Sequence, residues 1–194
     1  MKKERNGYQV FKEKNIKHII IILSMDEANN LNNLHKLNSG WTLWAHLPHD
    51  IDWSIKSYKK INKVNSIEEV VVLINTLPEK MVKNCMLFLM REDIKPMWED
   101  GKNKDGGSFS YKVSNKNIEK TWRKLTYALV GENLAKTLEM QKKINGITIS
   151  PKKNFCVIKI WLAGCEIQNP TMIKSIVQNI SPEGCLFKKH SPVY

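Results

Sequence analysis

Apolar and polar positions along this chain switch between two periods, and the switches divide it into strands and helices. Short runs of alternating or clustered apolar residues, bounded by Gly, Pro, Asn and Asp, predict strands at 41–47, 57–64, 85–91, 108–113, 146–150, 155–162 and 184–190. Between them the apolar spacing lengthens to three and four residues. Ser66 with Glu69 reads as a capping box, in which each residue satisfies the other's backbone N–H, and predicts a helix through Leu77 ended by Pro78. Ile118, Trp122, Leu125 and Leu129 fall on one face of a helix near 116–130 that Gly131 closes. Asn169-Pro170 predicts the start of a third helix, with Ile173, Ile176, Val177 and Ile180 facing inward. Together these elements make an α+β domain.

The first 37 residues read separately from the rest. Ile19 to Leu23 fits a strand, and Ser24 with Glu27 is a second capping box that would open a helix over Met25 to Leu37, with Leu31, Leu34 and Leu37 along one side. Asn29-Asn30 and Asn32-Asn33 argue equally for a disordered tail. The division is therefore an N-terminal extension over 1–37 and a domain over 38–194. The chain has 194 residues with 42% hydrophobic content, which suits one sizeable core. Its longest apolar run, Ile19 to Leu23, is too short to cross a bilayer and lacks the length and cleavage site of a signal peptide. The expected location is cytoplasmic, with no membrane partner and a monomeric state.

Charge narrows the choice of partner. Thirty-one Lys and Arg against nineteen Asp and Glu give +12, an excess that attracts anions such as RNA and makes their binding salt-dependent. A Lys, Asn and Ile-rich composition accounts for the same excess as a solvated surface. Four cysteines, Cys85, Cys156, Cys165 and Cys185, have no metal-ligand spacing, and the histidines pair with no nucleophile. No catalytic centre, metal or cofactor is expected.

The chemistry lies in Ile94-Lys95-Pro96-Met97-Trp98-Glu99-Asp100. Proline restricts itself and the residue before it, so Trp98 is offered from a loop of limited shape with a carboxylate beside it. An indole stacks on a purine, and the Glu99 oxygens can accept from the N1–H and N2–H₂ donors of guanine. Trp53, in the turn-forming Pro48-His49-Asp50-Ile51-Asp52-Trp53, offers a second plane or folds back onto a core edge.

These residues and their order resemble the eukaryotic translation initiation factor 4E family of messenger RNA cap-binding proteins. The resemblance runs over about residues 35 to 190 and rests on Trp41-Thr42-Leu43-Trp44, Trp53, Ser66-Ile67-Glu68-Glu69 and Pro96-Met97-Trp98-Glu99-Asp100. It continues through Lys102-Asn103-Lys104-Asp105-Gly106-Gly107, Thr121-Trp122, Val130-Gly131-Glu132 and Ile158-Lys159-Ile160-Trp161. It implies a curved antiparallel β-sheet with three helices packed on its convex face, Trp41, Trp44 and Trp122 being core. It further implies that Trp53 and Trp98 sandwich 7-methylguanine, that Glu99 reads its edge and that Trp161 touches the methyl group. One phosphate-binding cation of the family falls on Lys152. A second falls on Val157, and a third, after the Gly-Gly pair, on Ser108. Lys159 lies two residues beyond Val157 on the strand face of Trp161 and can replace the missing cation.

The resemblance also implies capped mRNA, or 7-methyl-GTP, as ligand and an initiation factor 4G-like scaffold or a dedicated partner on the helical surface. There the family's tryptophan falls on Val71 and its leucine-glutamate pair on Arg123-Lys124, while Ile67, Val71 and Tyr127 form a smaller groove or are partly buried. The function implied is cap binding in translation initiation. Two alternatives stand beside it: a cap-binding repressor without ordinary scaffold binding, and a general single-stranded RNA binder.

Overall fold

Residues 34–48 and 50–192 are described by a computed structural model. All seven expected strands form: β1 Lys36–His46, β2 Tyr58–Ser66, β3 Met86–Arg91, β4 Gly107–Ser114, β5 Ile144–Pro151, β6 Phe155–Leu162 and β7 Leu186–Lys189. They pair antiparallel in one curved sheet of order β2-β1-β3-β5-β6-β4-β7. The helices are α1 Ile67–Thr76, α2 Glu79–Asn84, α3 Ile118–Val130 and α4 Leu138–Lys143.

Alternation along the strands creates two apolar faces. Trp41, Leu43 and Ala45 of β1, Leu87 and Leu89 of β3, Ile147 and Ile149 of β5 and Ile158 and Ile160 of β6 point to the helices. They pack with Val70, Leu73 and Ile74 of α1 and with Trp122, Leu125 and Leu129 of α3. A second, smaller cluster lies on the other face: Phe88, Met90, Ile94 and Trp161, with Trp44, Tyr58, Met86 and Trp98 against them. β3 thus contributes to both clusters, which explains why Met86 to Met90 reads as an unbroken apolar run rather than an alternation. Trp41 and Trp122 are core residues as expected. Trp44 is only half-buried and belongs to the second face.

Local signals hold the edges. The Ser66 hydroxyl accepts from the Glu69 N–H at 3.2 Å while the Glu69 carboxylate accepts from the Ser66 N–H at 2.9 Å, so the expected capping box opens α1. The β1–β2 register skips from Leu43↔Asn62 to Trp44↔Lys60, leaving Ile61 as the extra residue of a bulge.

Two expected helices are corrected. The segment opened by Asn169-Pro170 makes only a 3-10 turn, Pro170–Met172, although Asn169 Oδ1 does accept from the Thr171 N–H at 3.0 Å as a cap. Its backbone then pairs with residues 134–136: Ala135 bridges Ile173, Lys174 N–H donates to Leu134 O and Lys136 N–H to Met172 O. Ile173, Val177 and Ile180 are buried from this irregular chain. The helix expected over 25–37 ends in strand, since Lys36 and Leu37 belong to β1. Residues 25–33 of that expected helix, with the strand expected at Ile19 to Leu23, lie outside the described residues. The short α2 and α4 were not anticipated.

Candidate functional site

The loop from β3 to β4 carries Trp98, and its shape is set by side chains that replace regular backbone pairing. Asp100 caps the loop from within, accepting from the Lys95 N–H at 3.0 Å and the Lys102 N–H at 2.9 Å. Asn103 is fully buried, and its amide donates to Lys95 O at 2.9 Å and Met97 O at 2.8 Å. Asn145 of β5 donates in turn to Asn103 Oδ1 at 2.9 Å, tying the loop to the sheet. Gly106 ends the loop where a Cβ would lie 1.9 Å from Leu162 O, so only glycine permits that approach. Trp98 is thereby held half-buried with Glu99 exposed beside it.

Trp53 stands in the β1–β2 connection. Asp52 accepts from the Ser54 N–H at 2.7 Å and from its hydroxyl at 3.0 Å, and His46 Nε2–H donates to Asp52 O at 2.9 Å. The Trp53 ring lies flat on His46, with centroids 4.3 Å apart and planes 6° from parallel, and remains 55% exposed.

The two tryptophans are joined by touching rings. His46 meets Tyr58 at 5.1 Å, Tyr58 meets Phe88 at 5.4 Å and Phe88 meets Trp161 at 6.4 Å. Trp161 then meets His190 at 4.7 Å, and His190 stacks on Trp98 at 5.6 Å and 16°. Edge-to-face and offset contacts of this kind add to the burial of each ring and fix their mutual angles. An aromatic floor therefore runs across the helix-free face from one loop to the other.

Charge is arranged around this floor. Burial first, and then the charge of the Glu99 carboxylate, push the Tyr58 phenol up to about 12. Lys159 and Lys188 place Nζ over the Trp98 ring, 5.8 and 5.3 Å from its centroid. Burial, followed by the charges of Lys188 and Lys152, holds Lys159 below the usual lysine range. Such a site suits a planar heteroaromatic group carrying an anionic tail.

The structure thus gathers Trp98, Trp161 and Lys159 at one end of the floor, with Lys152 on the adjoining β5–β6 turn, and sets Trp53 at the other end. Ile67, Val71, Tyr127 and Arg123 lie elsewhere, on the helical layer. The first three are exposed, and Arg123 bonds Asn75 of α1 at 2.8 Å and faces Glu119 at 3.9 Å. Sequence reasoning missed His46, Tyr58 and His190. Strand alternation held part of that signal, since His46 shares the phase of Trp44, and Lys188 and His190 share a phase in the last strand. Among the described residues there is no group of three metal-ligating side chains and no helix long and apolar enough to cross a membrane.

Fold and face together define a single-sheet α+β domain with an aromatic surface opposite its helices. The sequence model described as "Eukaryotic initiation factor 4E" matches residues 36–190, and the chain belongs to that family. It is 31% identical over 144 residues to eukaryotic translation initiation factor 4E of Eremothecium gossypii, a match covering 71% of this chain and 66% of the relative. It is 30% identical over 140 residues to factor 4E-2 of Schizosaccharomyces pombe, covering 68% and 55%. The matched region thus spans under two thirds of these relatives' lengths. Among solved structures, a schistosome initiation factor 4E complexed with m7GpppG and 4E-BP aligns with TM-score 0.61 and 25% identity, covering 69% of this chain and 74% of that one. Ascaris suum factor 4E-3 with an m7G cap matches in fold, with TM-score 0.61, 24% identity and coverage of 69% and 76%.

Proposed function

We propose that this protein binds the 7-methylguanosine cap of messenger RNA between Trp53 and Trp98 and acts, without catalysis, in cytoplasmic translation initiation. The observation that carries the reading is the aromatic floor, which bears one tryptophan at each end and lysines at one of them. Methylation at N7 gives guanine a delocalised positive charge, and a cation between aromatic planes gains about 0.5–2 kcal/mol over neutral stacking. Each plane contributes about 1–3 kcal/mol in stacking. Glu99 reads the guanine edge, Trp161 contacts the methyl group, and Lys152 and Lys159 meet the phosphates. Cap-bound relatives of the same fold support the assignment. The helical surface with Ile67, Val71, Arg123 and Tyr127 is where a 4G-like scaffold or dedicated partner docks.

Titration of intrinsic tryptophan fluorescence with 7-methyl-GTP and with GTP tests this reading. The parent protein prefers the methylated nucleotide, and Trp53→Ala or Trp98→Ala each weakens it by about tenfold or more with the fold intact. Equal affinity for both nucleotides, or an unchanged titration in either variant, overturns it. Glu99→Gln replaces an acceptor with an amide donor and relaxes the preference for guanine over other bases carrying the same triphosphate. Discrimination identical to the parent's removes Glu99 from base recognition.

A further inference from the structure

We propose that Lys188 on β7 is a phosphate-binding residue, forming with Lys159 a two-lysine seat for the anionic tail of a ligand whose base lies on Trp98. The proposal rests on the cap-binding reading and adds a binding residue to it. The sheet register makes the seat. β4 lies between β6 and β7, pairing Ser108 with Trp161 on one side and with Lys188 on the other, while Ser110 pairs with Lys159. Residues directly opposite one another in a ladder project from the same face. Trp161, Ser108 and Lys188 therefore form one row across the binding face, and Lys159 follows two positions along β6. Ser108 and Ser110 are small. They leave the space above β4 to the two long side chains, which reach the Trp98 ring from neighbouring strands.

The ion pairs within 4.0 Å among the described residues include none with Lys152, Lys159 or Lys188. Burial and the two neighbouring lysines act against the charged form of Lys159. Bringing like charges together near a low-dielectric aromatic surface is unfavourable until an anion sits between them. A triphosphate supplies that anion and releases the repulsion on binding. Lys189 provides the internal comparison, because it is next in sequence but alternates to the other phase, opposite Gly107.

Lys188→Ala, Lys188→Arg and Lys189→Ala are titrated with 7-methyl-GTP, 7-methylguanosine, GTP and guanosine at several salt concentrations. Lys188→Ala weakens 7-methyl-GTP about fivefold or more and leaves 7-methylguanosine within twofold. It also reduces the slope of log affinity against log salt by about 0.7, the expectation for one phosphate contact to a single strand. Lys188→Arg and Lys189→Ala bind like the parent. Two results overturn the proposal: Lys188→Ala binding 7-methyl-GTP like the parent, or losing triphosphate and nucleoside equally. A parent that fails to prefer the methylated base sinks the cap reading alone. The triphosphate-to-nucleoside ratio measured with GTP and guanosine then still decides Lys188.

Discussion

His190 is held on three sides, and its protonation state follows from what surrounds it. Its Nδ1–H donates to Asn103 O at 2.7 Å, its N–H extends the β7 ladder to Gly106 O at 2.9 Å, and its ring lies between Trp98 and Trp161. Nε2 is buried with no hydrogen-bond partner. Protonation would place a second N–H there without an acceptor, close to the Lys159 charge. Burial, with Lys159 adding to it against the Asn103 hydrogen bond, holds the imidazole below its ordinary value of 6.5. Because the folded value is the lower one, the neutral ring's full contribution to stability is present above about 6.5 and is lost as pH falls through the folded value. Urea denaturation between pH 7.5 and 5 should show the parent losing more stability than His190→Gln, with the curves diverging below pH 6.5. Parallel curves would show that the ring titrates alike in both states. The same residue illustrates what sequence could not display. Trp98 with Glu99 was legible because proline, indole and carboxylate are contiguous, whereas His190 follows a short lysine-rich strand and has no local mark of its contact with Trp98.

At the scale of elements, legibility followed length and repetition. The strands and α3 were readable because several residues repeat one period and turn residues bound them. α2 and α4 have six residues each, too few for a helical period to be distinguished from a turn. The apolar spacing at Ile173, Val177 and Ile180 was real, but backbone pairing with 134–136 satisfied it without a helix. Trp122 of α3 tests the separation of the two faces. It is 2% exposed in the helix-side core, so Trp122→Ala should cost about 3–5 kcal/mol of stability through lost burial and a cavity. Nucleotide affinity, measured where the variant remains folded, should stay within about twofold of the parent, since the binding face lies beyond the sheet. A loss of affinity as large as that of Trp98→Ala would show that the faces are not independent.

For the molecule as a whole, the sheet order matters more than any one element. Trp53 hangs from β1 and β2 at one edge, while Lys159, Lys188 and His190 come from β6 and β7 towards the other. The neighbouring strands β3 and β5 join these halves, and β3 lends Phe88 to the aromatic floor between them. A family resemblance could nominate Trp53, Trp98, Glu99 and Trp161, yet the chain's own additions to the site arise from register between distant strands. Register is a property of the folded sheet and not of a window of residues.

That order has a consequence for synthesis on the ribosome. A chain emerging from its amino end completes the Trp53 loop and the Trp98 loop long before β7 appears. Among the described residues β7 is the last strand in chain order and pairs with β4 alone, and it delivers Lys188 and is followed directly by the ring that backs Trp98. A nascent chain halted before β7 would carry both indoles and Glu99 but neither the backing plane nor the second lysine. Full ligand binding would thus be withheld until the end of the domain is made.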